Sequence, residues 1–456
     1  MAGSSILLES VQKLLRHKAD RNLARILDRT RVEDIATLLR HFEPEDQFHI
    51  LCLIAPMDRQ SAVLAELDPE IQSHVGPLFD DATLLELLHP MSGDDAADFI
   101  ERLPDNRAAA ILAAWKSEQA AEIDTLLGYG PDTAGGIMTP HIFSLPDDRT
   151  AADAIAALQQ KHEDLDITFY LYAVGANGQL TGVLSLRELV VADPTARIAD
   201  IMDTNVLSVH ATEDQEEVAR MVARYNLLAI PVVDDGNRLV GVVTVDDIID
   251  VIREEATEDI LMMAGAGSTD FSDMVNPVAN ARQRMPWLLA SFVGGLGSMV
   301  IIGAFEASLS QVAALAAFIP ITLGMGGNVG TQASTVVTRG IALGRIPTNR
   351  VRSVVVREIS TGVMLGLAYG ALVGVVAAMR YGWDDAPFAI WRLSLTVGLA
   401  MGCCMTTAAA VGGAVPMIMH RMGADPAVAT GPFVTTSVDI IGITAYFAIA
   451  QALLGV

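Results

Sequence analysis

The chain has 456 residues, with 55 Asp and Glu against 30 Lys and Arg and a net charge of −25, yet its mean hydropathy is +0.39. A uniform globular protein does not combine those values, so the acids and the apolar residues sit in different parts of the chain. From Met285 onward eight arginines face six acids, a balance of +2, which leaves −27 for the first 284 residues; a surface of that sign excludes nucleic acid as a partner and favours cations or a basic partner.

In chain order, Met1 to Asp20 has Lys and His among its apolar residues and no uninterrupted apolar core before a small-residue cleavage site. No signal peptide is therefore expected, and the long acidic half is expected to stay in the cytoplasm. Cys52, Cys403 and Cys404 are the only cysteines, which fits a reducing compartment and offers neither a disulfide framework nor a thiolate zinc site.

From about Leu23 to Leu127 apolar residues recur at helical spacing, interrupted by short breaks that carry Pro44, Pro56, Pro69, Pro90 and Pro104. Proline is tolerated in the first turn of a helix and not in its interior, so each break predicts one short helix ending and another beginning. An acidic all-α repeat domain over residues 1–130 is expected.

An internal duplication follows. Ile137-Met138-Thr139-Pro140, a helical stretch near Ala151 to Gln160, the strand-like Phe169 to Val174 and Gly182-Val183-Leu184-Ser185-Leu186-Arg187-Glu188-Leu189 are echoed by Ile201-Met202-Asp203, a helix near Gln215 to Arg224, Ile230-Pro231-Val232-Val233 and Gly241-Val242-Val243-Thr244-Val245-Asp246-Asp247-Ile248. Two β-α-β-β-α copies are expected to cover each other's apolar sheet faces over residues 131–252. This pattern resembles a pair of CBS domains. The resemblance implies that a hydroxyl residue and an acid in G-h-h-[ST]-x-x-[DE] hold an adenine nucleotide such as ATP. Here those residues are Thr244 and Asp247 in the second copy and Ser185 and Glu188 in the first, with Arg187 beside them; Glu188 departs from the usual Asp. The alternative is that both acids only cap helices or face solvent.

Residues 253–284 form a charged connector with Glu254, Glu255, Glu258 and Asp259, broken at Gly265 to Ser268 and resumed by a helix from about Asp273. Five apolar stretches complete the chain over 285–456: Pro286 to Phe305, Val312 to Val337, Ile359 to Met379, Phe388 to Met419 and Ala427 to Leu454. Each reaches the ~20 residues that a membrane-spanning helix needs. Arg339, Arg345, Arg350, Arg352 and Arg357 crowd around the connection between the second and third stretches, whereas the first connection has no Lys or Arg and the third is diluted by Asp384 and Asp385. The positive-inside rule then predicts a multi-pass protein of the cell (inner) membrane with its N-terminal half inside and its C-terminus outside.

Two spans carry residues out of place against lipid. The second contains Pro320 and the run Gly324-Met325-Gly326-Gly327-Asn328-Val329-Gly330-Thr331-Gln332, which favours close helix approach and accessible carbonyls. The fifth contains Asp439, with Thr435 and Thr436 at i−4 and i−3 on one helical face. An ionised carboxylate in mid-membrane demands water, a cation or a partner, and no Lys follows residue 285. A cation site is the expectation; a protonated, hydrogen-bonded Asp is the alternative. Carboxylate, hydroxyl, amide and carbonyl oxygens suit Mg²⁺, Mn²⁺ or Ca²⁺, and a single acid per chain suits Mg²⁺, which keeps most of its waters.

Taken together, the acidic helical domain, the repeat pair, Glu-Ala-Thr-Glu-Asp at Glu255 to Asp259, Arg-x-Pro-Trp at Arg284 to Trp287, G-x-G-G-N-x-G-T-Q and T-T-x-x-D resemble the MgtE family of Mg²⁺ channels over essentially the whole chain. The resemblance implies a homodimer with hydrated Mg²⁺ held between two copies of Asp439 and a pore lined by Gly326, Gly327, Asn328, Thr435 and Thr436. It further implies closure by intracellular Mg²⁺ at Asp94, Asp98, Gly136, Asp214, Glu216, Asp247, Asp250, Glu255, Glu258 and Asp259. Asn226 and the Gln60 to Leu64 segment depart from the family by lacking an acid, which implies fewer or weaker regulatory ions. A membrane-anchored nucleotide sensor without transport, and a transporter for Mn²⁺ or Co²⁺, are the alternative functions. No P-loop, nucleophile elbow or metal-hydrolase spacing is present, so no enzyme is expected.

Overall fold

The computed structural model describes residues 2–115, 123, 125–160, 169–266, 277–346, 350–381 and 390–455. Gly267, Ser268, the expected helix start near Asp273, the Asp384-Asp385 pair and the Phe388 start of the fourth stretch lie outside the described residues. The chain divides into two compact units, Met1–Ile252 and Arg253–Val456.

The first unit opens with a stack of short helices: α1 (Ala2–Arg16), α2 (Asp20–Leu27), α3 (Val32–Leu39), α4 (Pro44–Cys52), α5 (Met57–Ala65), α6 (Pro69–Val75), α7 (Asp81–Leu88), α8 (Gly93–Glu101) and α9 (Asp105–Ala114). The prolines punctuate it as their chemistry requires: Pro44 and Pro69 open their helices, and Pro56 and Pro104 sit at the N-cap of theirs. Two helix starts are capped by side chains instead: Asp80 accepts from the amides of Ala82 and Thr83, and Ser92 from that of Asp95. Each helix is too short to persist alone, so stability comes from the buried seam of Leu23, Leu39, Leu51, Leu64, Leu87 and Phe99. Full burial of each such side chain is worth roughly 1.5–3 kcal/mol.

The duplication folds twice into the same three-stranded sheet. β1 (Ser144–Pro146) runs parallel to β2 (Tyr170–Val174), which is antiparallel to β3 (Leu180–Ser185); β4 (Val209–His210), β5 (Ala229–Val233) and β6 (Leu239–Thr244) repeat that order. The helices are α10 (Ala151–Gln160), α11 (Leu186–Val191) and α12 (Ile198–Ile201) in the first copy, and α13 (Gln215–Tyr225) and α14 (Val245–Met263) in the second.

Each copy lends its leading segment to the other: Thr139 bridges Val242, and Asp203 bridges Val183. The repeated Ile-Met and Gly-Val signatures meet here. A methyl group on Gly241 would lie 2.4 Å from Met138 Sδ, and one on Gly182 2.2 Å from Met202 Sδ. Only glycine leaves room for the methionine of the opposite copy. The second copy's Val209, Ile230, Val232, Val243 and Ile248 share the core of the helical stack, whereas Phe143, Leu171, Leu184 and Leu189 give the first copy a core of its own.

Among the described residues, the second unit contains five helices long and apolar enough to cross a membrane: α15 (Pro277–Ala304), α17 (Ala314–Ala342), α18 (Val351–Tyr381), α19 (Ile390–Arg421) and α21 (Pro432–Leu454). Short helices α16 (Glu306–Gln311) and α20 (Pro426–Thr430) interrupt the series. Pro286 lies inside α15, so the helix expected to run from the connector into the first apolar stretch is continuous from Pro277 onward. One expectation is corrected. The fifth stretch is broken at Thr430-Gly431-Pro432, because Pro432 has no amide to donate and Gly431 leaves the helical region (φ −81°, ψ −112°).

Small residues set the helix spacing. Gly366 and Gly370 of α18 lie against the carbonyls of Gly402 and Gly398 of α19, where added methyl groups would come within 2.7 and 2.5 Å of oxygen. Such backbone contact is how helices bind one another where burial from water supplies no drive.

Candidate functional site

The membrane site is built where α17, α19 and α21 converge. The Gly324 to Gln332 run stays within continuous helix, so its carbonyls serve the helical ladder and the glycines serve approach. Gly326 and Gly327 are buried while Asn328 is exposed. A methyl group at Gly326 would lie 2.5 Å from Cys404 Sγ and 3.3 Å from Val438, and one at Gly327 3.5 Å from the Thr435 methyl. Val438, immediately before Asp439, is thus seated on the glycine face. Thr436 is seated on α15, since a methyl at Gly294 would come within 1.8 Å of its Cγ2.

Asp439 itself is half-buried, one turn beyond Thr435, with Thr435 in the first turn of α21 after the Gly431-Pro432 break. Gly326, Gly327, Thr435 and Asp439 are therefore brought to one region of the bundle. Thr435 donates to the Gly431 carbonyl at 3.2 Å, leaving its oxygen lone pairs for other donors. A carboxylate beside hydroxyls at the start of a broken helix can attract a cation and accept hydrogen bonds from its waters.

In the first unit the sequence-predicted acids gather on two helix starts with the same spacing. Asp94, Asp95 and Asp98 open α8; Asp246, Asp247 and Asp250 open α14. Acids in a first turn are favoured by the helix dipole of their own helix, but here the two groups repel each other. Burial and then the Asp94 charge push the Asp247 carboxyl up to about 7; burial and then Asp95 push Asp94 up to about 6.

Glu66, at the C-cap of α5, is raised by burial and then by Asp95, Glu33, Asp250 and Asp246. Asp98 is raised by burial although Arg102 pairs with it at 2.9 Å. One oxygen of Asp94 is buried with no hydrogen-bond partner, while Asp247 accepts from Thr244 Oγ1 at 2.6 Å. A hard divalent cation suits this donor set: it would meet the unpartnered Asp94 oxygen and relieve the repulsion. Among the described residues no three His, Cys, Asp or Glu side chains converge closely enough to hold an ion by themselves, so waters or backbone oxygens would complete its shell.

The remaining predicted residues have structural duties. Asp214 caps α13 through the Glu216 amide, and Glu216 pairs with Arg220 at 2.7 Å. Gly136 closes a tight turn, where a methyl group would meet the carbonyl oxygens of Gly130 and Pro131 at 2.4 and 2.6 Å. That turn docks on the α13 start through a Thr133 to Asp214 bridge. Ser185 and Glu188 form a complete capping box on α11, and Arg187 is exposed beside it. Glu255, Glu258 and Asp259 lie on the part of α14 in the second unit, where Asp259 faces Arg339 at 3.8 Å.

Sequence reasoning missed Glu66, Asp95 and Asp246. The twin Asp-Asp-x-x-Asp spacing was the available signal, though nothing in it says that helices some 150 residues apart face each other. Cys404 was noted only as an unpaired cysteine; its thiol is buried between Gly326 and Gly442 and reaches the Thr322 carbonyl at 3.5 Å.

Comparison with known proteins gives one pattern. The family model described as a divalent cation transporter matches residues 319–449, that of the MgtE intracellular N domain residues 30–132, and that of the CBS domain residues 134–194 and 198–254. The chain is 35% identical over 453 residues to the magnesium transporter MgtE of Thermus thermophilus, covering 98% of each. It is 34% identical over 439 residues to that of Bacillus subtilis, covering 96% of this chain and 95% of the other. Among solved structures, the cytosolic domain of the Mg²⁺ channel MgtE in complex with ATP superposes with a TM-score of 0.51 at 35% identity, covering 54% of this chain and 99% of that one.

Proposed function

The chain belongs to the MgtE family of divalent cation transporters, and on that premise we propose that it conducts Mg²⁺ into the cytoplasm through a pore in which Asp439 is the ion-attracting group. The observation that carries this reading is a half-buried carboxylate on α21 in a membrane half with no lysine. Val438 just before it and Thr435 one turn earlier pack on Gly326 and Gly327, so the acid's own helix is seated closely on the glycine face. One such acid per chain becomes a pair in a homodimer with the pore on the two-fold axis. Two carboxylates attract a divalent ion while leaving its waters in place, and Asn328, Thr435 and Thr436 line the same passage.

The acidic patches support closure by intracellular Mg²⁺. Ions that neutralise the repulsion between the α8 and α14 acids, and between Glu255, Glu258 and Asp259, favour a compact cytoplasmic half. Asp214, Glu216 and Gly136 contribute to this response at the α13 start. An adenine nucleotide binds the repeat pair through Thr244, Asp247, Arg187 and Glu188; the ATP bound by the related cytosolic domain supports this.

The test is Mg²⁺ uptake by purified protein in liposomes, with Mg²⁺ varied on the side of the cytoplasmic half. Uptake that falls as that Mg²⁺ rises through the millimolar range, and persists when Glu255, Glu258 and Asp259 are all neutralised, is the expected result. No uptake above protein-free liposomes refutes transport, and unaltered closure in the triple variant moves the sensor elsewhere.

A further inference from the structure

The end of α14 touches both helices that carry the candidate pore residues. Asp259 Oδ2 lies 3.8 Å from Nη1 of Arg339, in the last turn of α17, the helix of Gly326 to Asn328. Four residues on, α14 meets the start of α21: a methyl group on Gly431 would come within 2.7 Å of the Met263 carbonyl oxygen. Beyond it, Gly265 is also close, a methyl group there lying 3.1 Å from Pro432 Cγ. Gly431 and Pro432 are the break that precedes Thr435, Thr436 and Asp439.

Glu255, Glu258 and Asp259 occupy five residues of one helix, with Glu255 and Asp259 one turn apart, so their charges raise one another's energy. Arg339 brings to this cluster a guanidinium that stays charged at any physiological pH. A divalent cation drawn to the same carboxylates must share Asp259 with the guanidinium or displace it. We propose that Arg339 is the protein's own competitor for the regulatory cation at Asp259, and so sets the Mg²⁺ concentration at which the pore closes. The inference rests on the reading of Glu255, Glu258 and Asp259 as a Mg²⁺ sensor and adds a residue from the membrane half to it.

Competition fixes the sign. Without Arg339 the cluster is more negative by one charge and binds Mg²⁺ more tightly, so closure needs less ion. The Arg339 side chain is 45% exposed and that of Asp259 22% exposed, which keeps the effect to that of a screened pair, about five-fold in the closing midpoint.

The experiment measures Mg²⁺ uptake by the full-length protein in liposomes against Mg²⁺ on the cytoplasmic-half side. Arg339→Gln and Arg339→Met, the latter retaining an aliphatic stem, are expected to close at about one fifth of the wild-type concentration. Arg339→Lys keeps the charge and should stay within about two-fold. On an Asp259→Asn background Arg339→Gln should add no further shift, as a direct pair requires. A midpoint unchanged or raised in both neutral variants, in protein that elutes like wild type and conducts without Mg²⁺ on that side, overturns the proposal. If Asp259→Asn raises the midpoint and the Arg339 variants do not lower it, only the competition fails; if Asp259→Asn closes like wild type, the sensor reading fails as well.

Discussion

Protonation of the α8 and α14 acids should control both the stability of the ion-free cytoplasmic half and its grip on Mg²⁺. Asp247 is pushed up to about 7 by burial and then by the Asp94 charge, and Asp94 to about 6 by burial and then by the Asp95 charge, both from an ordinary 3.8. A carboxyl with a raised folded-state pKa holds its proton better folded than unfolded, so its contribution is most favourable below the unfolded value. That advantage is lost as pH rises from about 4 to about 7.

For Asp247 alone the shift of about three units corresponds to roughly 4 kcal/mol at most. The Asp247 shift already contains the Asp94 charge, so the two shifts do not add as independent contributions. Replacing Asp247 by Asn keeps an acceptor for Thr244 and removes the titration. In urea unfolding of residues 1–266 with EDTA, the variant should gain about 2 kcal/mol over wild type at pH 7.5 and nothing at pH 4. Mg²⁺ should also expel the held proton: near pH 6.5 calorimetry in buffers of different ionisation enthalpy should report release of about one proton per bound ion. A stability difference that is flat with pH, together with heats independent of buffer, would refute the argument that these acids face one another without a cation.

Other expectations are more local. Cysteines placed at Arg345 and at Gly455 should be labelled from opposite sides of the membrane; labelling from one side would remove the five-span topology. Gly241→Ala puts a methyl group 2.4 Å from Met138 Sδ, so it should cost about 1–3 kcal/mol by overpacking, read as a shift in the unfolding midpoint of residues 1–266. Unchanged stability would mean that the exchange of leading segments between the two copies is loose. Calorimetry with ATP on the same residues should show binding that Arg187→Ala and Thr244→Val both weaken; no heat at millimolar ATP would leave the Ser185-Glu188 capping box and the Thr244-Asp247 bond with structural roles alone.

How far the sequence revealed this depends on the range over which each feature is encoded. The proline-marked helices and the five apolar stretches are local patterns: Pro44 and Pro69 open helices, and five long helices lie on the apolar stretches, the fifth only from Pro432. The duplication was legible because its Ile-Met and Gly-Val signatures recur, although their mutual contact is not written in either copy. What stayed hidden is tertiary. The meeting of Asp94 and Asp247, and the pairing of Asp259 with Arg339, depend on packing between segments far apart in sequence. The break at Gly431-Pro432 was a local signal overlooked because hydropathy runs through it unchanged.

The central claim is that Asp439 draws Mg²⁺ into the pore. Asp439→Asn keeps the shape of the side chain and removes its charge, and attraction to a divalent ion scales with that charge. With no lysine in the membrane half to strand, the variant should still fold and assemble. Mg²⁺ flux through purified Asp439→Asn protein in liposomes, without Mg²⁺ on the side of the cytoplasmic half, is therefore the direct measurement. A flux reduced at least about ten-fold at low millimolar Mg²⁺ is the predicted result, equivalent to about 1.4 kcal/mol of lost attraction, and wild-type flux would contradict the account.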